Sequence, residues 1–68
     1  MIDDKLMRML IFKIFSNYSV KVKDEVINYL VKILPREFDK IIDATDKINN
    51  FAITHKRKIT LSLAKEIL

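Results

Sequence analysis

"ILPREFDKI", residues 33–41, holds the single proline of a 68-residue chain that has no glycine. Apolar residues recur at helical spacing on both sides of it. Pro35 is therefore either a kink inside one long helix or the start of a new one. Inside a helix, proline removes a backbone donor and clashes with the carbonyl four residues back, at a cost of about 3 kcal/mol. It also drives the preceding residue, Leu34, out of helical dihedrals. At the first position of a helix neither objection applies, because that N–H has no intrahelical partner anyway. Glu37 then falls in the first turn, and Ile33 and Phe38 take the positions of a hydrophobic staple around Leu34 as N-cap. The stretch is read as a helix start at Pro35, with Leu34 extended.

Upstream, residues 24–34 form a second helix. Asp24 and Glu25 suit its first turn, and Val26, Ile27, Leu30, Val31, Ile33 and Leu34 make its apolar stripe. Before it, residues 4–16 place Leu6, Met7, Leu10, Ile11, Ile14 and Phe15 on one face, with Asp3 or Asp4 as cap. "NYS" stops that helix, and "SVKVK" is a connector. Downstream, the helix beginning at Pro35 runs to about Thr54, about 30 Å at 1.5 Å per residue. Phe38, Ile41, Ile42, Thr45, Ile48 and Ala52 line its inner face, with Phe51 beside them. "HKRKI" interrupts the pattern. Thr60 caps a last helix over 60–68, whose Leu61, Ala64, Ile67 and Leu68 return to the core. The expectation is an all-α fold, a compact four-helix bundle forming one domain over residues 1–68.

Composition excludes several function classes. Without glycine, neither a phosphate-binding loop nor a dinucleotide turn can be built. The lone His55 lies in a basic stretch without an evident nucleophile, so no acyl-transfer constellation stands out. One histidine and no cysteine leave no structural zinc site and no disulfide. The segment after Met1 is acidic, unlike a signal peptide, and no apolar run reaches membrane-spanning length. These features fit a cytoplasmic, non-enzymatic module without membrane contact. Thirteen Lys and Arg against nine Asp and Glu give a net charge of +4, which permits contact with nucleic acid without demanding it. Met7 and Met9 read as core or as an interface with another domain, and Tyr29 as packing.

The stretch "YLVKILPREFDKIIDATDKINNFAITHKRKITLSLAKEIL", residues 29–68, resembles the C-terminal helical lid of DnaA-family AAA+ proteins, and most of all Hda and the related DnaA-like regulators of replication initiation. The residues that carry the likeness are Asp4, Leu6, Lys13, Ile14, Phe15, Val20, Val22, Val26, Tyr29 and Leu30. They continue with Arg36, Asp46, Arg57, Ile59, Thr60, Leu63, Ala64, Ile67 and Leu68. The likeness covers nearly the whole chain and includes no nucleotide-binding core, so it implies a lid alone. It implies that Arg36, early in the third helix, is a sensor 2 type arginine that reaches toward nucleotide held between core and lid. No cofactor is expected for the isolated chain. ATP or ADP is implied for a parent protein, as are the parent's AAA+ core, DnaA and the sliding clamp as partners. Lys56, Arg57 and Lys58 are candidates for a phosphate or partner contact, with at most weak, non-specific binding to nucleic acid.

Two other readings remain open on sequence alone. A histone-fold DNA-binding protein has the same order of short helix, basic loop, long helix, basic loop and short helix. It needs residues 24–54 to form one helix of about 45 Å straight through Pro35. A helical protein-interaction module is the third reading.

Overall fold

The computed structural model describes residues 2–68. Four helices follow one another: α1 (Asp4–Asn17), α2 (Asp24–Ile33), α3 (Phe38–Thr54) and α4 (Leu61–Ile67). α1 packs on α2 and α3, and α4 packs on the same two helices. The contacts thus close a ring in which α2 and α3, though consecutive in the chain, lie diagonally opposed.

The break at the proline is real. Leu34 ends α2 with φ −80° and ψ 144°, the extended conformation that a following proline enforces. A continuous helix over residues 24–54, which the histone arrangement requires, does not exist. The start of α3 needs correction, however. It begins at Phe38, with Glu37 as an extended N-cap at φ −126° and ψ 130°, and Pro35 lies in the link rather than at the first helical position. Two physical reasons account for this. Leu34 has no side-chain acceptor with which to cap a helix beginning at Pro35. In addition, Glu37 takes the extended N-cap conformation just before Phe38, so the helix begins after it. No staple forms, since Ile33 is 39% and Phe38 56% exposed.

Capping chemistry explains two other helix starts. Asp3 accepts the Leu6 N–H at 2.8 Å, and Thr60 accepts the Leu63 N–H at 3.2 Å. α2 has no side-chain cap but carries Asp24 and Glu25 in its first turn and Lys32 in its last, all favourably placed for the helix dipole.

Helices α1 and α3 end in the same way. After α1, the Val20 N–H bonds the Phe15 carbonyl at 3.1 Å and the Ser19 N–H bonds Ser16 at 2.9 Å. After α3, the Arg57 N–H bonds Ala52 at 2.9 Å and the Lys56 N–H bonds Ile53 at 3.2 Å. Both are Schellman turns, which need a left-handed residue just past the cap. In a chain without glycine that conformation falls on Ser19 (φ 60°) and Lys56 (φ 53°). A residue bearing a Cβ is disfavoured there by about 1–2 kcal/mol.

The core is built from Met7, Ile11 and Phe15 of α1, and from Val26, Ile27, Leu30 and Val31 of α2. Ile41, Ile48 and Ala52 of α3 and Leu63 and Ala64 of α4 complete it, with Ile59 from the last loop. Full burial of a large side chain of this kind stabilises by about 1.5–3 kcal/mol. Thr45 is buried among them, and its hydroxyl donates back to the helix carbonyls of Ile41 (3.0 Å) and Ile42 (2.9 Å), so its burial leaves no orphan. Four expected core residues, Leu6, Ile33, Phe38 and Leu68, lie outside, because each falls beyond the narrow stripe that its helix presents to the ring. Leu63, absent from the expected stripe of the last helix, is fully buried.

Candidate functional site

Three features on the surface of this bundle could carry function. The first is the Arg36 corner. Arg36 sits in the α2–α3 link, two residues before α3, and not on the helix as expected. Its guanidinium forms an ion pair with Asp4 and donates to the Ile2 carbonyl at 3.2 Å. The pair is open to water, with the side chains of Arg36 and Asp4 37% and 66% exposed. Such a pair is worth about 0–1 kcal/mol, little enough for a stronger anion to replace Asp4. Sequence periodicity could not have paired these residues, since 32 positions separate them.

The second feature is the basic stretch after α3. His55 stacks on Phe51, with ring centroids 4.0 Å apart, and its Nδ1 lies 3.0 Å from the Phe51 carbonyl. The Arg57 guanidinium lies 5.9 Å from the centre of the same ring and donates to Glu66 Oε2 at 2.8 Å. That hydrogen bond, reinforced by the guanidinium's charge, holds the Glu66 carboxyl below the usual glutamate range. Arg57 thus joins the α3–α4 loop to α4. Lys58 points instead into an open groove of about 710 Å³, which Lys21 and Lys23 of the α1–α2 loop also line. Lys56 is not among the groove residues. Lys21 and Lys23, read from the sequence as a mere connector, therefore share a surface with Arg57 and Lys58. The signal for this was faint: a second basic pair in a second loop, with nothing to say that the loops meet.

The third feature is the outward face of α1. Leu6, Met9 and Phe12, at 46%, 59% and 58% exposure, flank a shallow depression shared with Leu10, Lys13 and Ser16. Three large apolar side chains on one helix face, in a domain of this size, are more than scattered surface exposure. Met7 belongs to the core, as expected, and Met9 lies exposed on this outer strip. Tyr29 packs at the core edge, as expected, with the Lys65 ammonium 5.9 Å from its ring centre.

Among the described residues, no group of His, Cys, Asp or Glu could hold a metal ion. No helix there is long and apolar enough to cross a membrane.

The sequence matches the family described as "Hda, lid domain" over residues 3–68. The chain belongs to this lid-domain family. The match spans all four helices, so the bundle is a lid of the type found in Hda and DnaA-like AAA+ proteins, a family of replication-initiation regulators. No curated protein and no solved structure matches the chain. Membership accounts for the form of this lid domain, a small all-helical body.

Proposed function

We propose that the chain serves as the lid of a DnaA/Hda-like AAA+ regulator of chromosomal replication initiation in the cytoplasm. In this reading Arg36 supplies a sensor 2 type contact to ATP or ADP, and the lid itself performs no catalysis. The observation that carries the proposal is the family match over residues 3–68. The position of Arg36 supports it, because the guanidinium lies beside the N-terminal end of α1, the end to which a preceding nucleotide-binding core would connect. Nucleotide held between core and lid would compete with Asp4 for the guanidinium, whose planar fork matches phosphate oxygens. The exposed Leu6, Met9 and Phe12 strip on the same helix offers the core an apolar contact. DnaA and the sliding clamp are the partners that this role implies for the parent protein.

The test is nucleotide affinity in the AAA+ protein that carries this lid. A hydrogen bond to a charged group contributes about 1.5–3 kcal/mol, so Arg36→Ala should weaken ATP or ADP binding by about 10- to 150-fold. Arg36→Lys should recover little, since the fork is lost. Within the 68-residue chain Arg36→Ala should cost no more than about 1 kcal/mol, the value of an exposed ion pair. Full nucleotide affinity in the Arg36→Ala parent would remove the sensor role. Unfolding of the chain by the same substitution would make Arg36 a structural residue instead.

A further inference from the structure

The groove between the two basic loops has a polar floor as well as charged walls. Asn49 of α3 lines it and is 9% exposed. Apart from Thr45, it is the one polar side chain that the described residues bury. Thr45 is bonded to its own helix, whereas the Asn49 amide has no protein hydrogen-bond partner among the described residues. No buried side-chain polar atom there is sealed off unsatisfied, so the amide keeps its access through the groove. A largely buried amide that lines a groove and has no protein partner is suited to a ligand atom that enters the groove.

The walls define the charge of that ligand. Lys21 and Lys23 come from one loop and Lys58 from the other, and none of the three is paired with a carboxylate among the described residues. Arg57 also lines the groove but is held by Glu66, and Glu25 is the one acidic lining residue. Three free ammonium groups therefore outweigh one carboxylate. Lysine is a compact point charge that suits a phosphate oxygen, and the only arginine here is already occupied by Glu66. No aromatic side chain lines the groove, so unstacked bases have no platform there.

We infer that this groove binds the phosphodiester backbone of duplex nucleic acid, through Lys21, Lys23 and Lys58 with the Asn49 amide at its floor. Binding is independent of base sequence, because lysine contacts to phosphates carry no sequence information. The site is separate from the Arg36 corner and does not depend on the nucleotide-sensing role.

The experiment is fluorescence anisotropy of the 68-residue chain with a labelled duplex DNA of arbitrary sequence, titrated at several salt concentrations. Three free ammonium groups, at about −0.9 each, set a slope of log affinity against log salt near −2.7. Lys21→Glu, Lys23→Glu and Lys58→Glu should each weaken binding by about tenfold or more and reduce the slope by about one. Asn49→Ala should weaken binding with the slope unchanged, because a neutral contact releases no counterion. Lys40→Glu, on α3 outside the groove, makes the same change in net charge and should alter affinity by less than about threefold. Circular dichroism confirms that each variant stays folded. Equal losses for Lys40→Glu and the groove variants would overturn the inference, reducing it to overall charge. So would preference for a polyglutamate peptide, or for single-stranded DNA, over the duplex at equal salt.

Discussion

Replacing Leu63 by alanine tests the packing that makes this chain a domain. Leu63 is fully buried on α4, a helix of only seven residues that packs on both α2 and α3. Isolated helices shorter than about 12–15 residues are marginal in water, so α4 exists only while docked. A buried Leu→Ala change costs about 2–5 kcal/mol through lost transfer energy and the cavity left behind. A 68-residue domain at about 0.05–0.15 kcal/mol per residue has only about 3–10 kcal/mol in total. Leu63→Ala should therefore remove about a fifth of the stability at the least, and more than half over most of the range. With a urea m-value of about 1 kcal/mol/M for so small a protein, the midpoint should fall by about 2–5 M in a denaturation followed by circular dichroism. Where alanine leaves the domain unfolded in buffer, Leu63→Met keeps the volume and should cost less than about 1.5 kcal/mol. Leu61 is only half-buried, and Leu61→Ala should shift the midpoint by less than half as much. If Leu61→Ala proves as costly as Leu63→Ala, the face on which α4 docks has been assigned wrongly.

Two further outcomes follow from the chain's turns and charges. Lys56→Gly relieves the left-handed strain after α3 but adds freedom to the unfolded chain, for a net gain of about 0.5 kcal/mol. That should raise the thermal midpoint by about 2–4 °C, and a fall would refute the Schellman turn at this position. Glu66 should titrate below the usual glutamate range by carboxyl NMR, and Arg57→Gln should return it toward that range. Because its folded-state pKa is depressed, the contribution of this pair is present above the unfolded-state pKa and is lost as pH falls through the folded value. An unshifted Glu66 would mean that Arg57 is unpaired and adds a fourth free cation to the groove that it lines.

The helices and their limits were largely legible in the sequence because their causes are local. Asp3 and Thr60 cap whatever follows them, and Pro35 forces Leu34 out of the helix whatever surrounds it. The distributed pattern of residues was enough to indicate the lid family. The start of α3 was not legible, because Glu37 caps it without a side-chain hydrogen bond, so no local capping signal marks where the extended link turns into helix. Nor was the choice of Leu63 over Leu68 as the buried residue of α4. Both are apolar in the stretch expected to be helical, but Leu68 falls just past the end of α4 while Leu63 faces α2 and α3. The basic run at Lys56, Arg57 and Lys58 could be seen as a run, but folding divides it. Arg57 goes to Glu66, Lys58 turns into the groove beside Lys21 and Lys23, and Lys56 takes the strained turn. Local sequence determines which segments become helices, since capping and backbone sterics act over a few residues. The ring packing of those helices alone determines which loops meet and which charges remain free, since that depends on contacts between residues far apart in the chain.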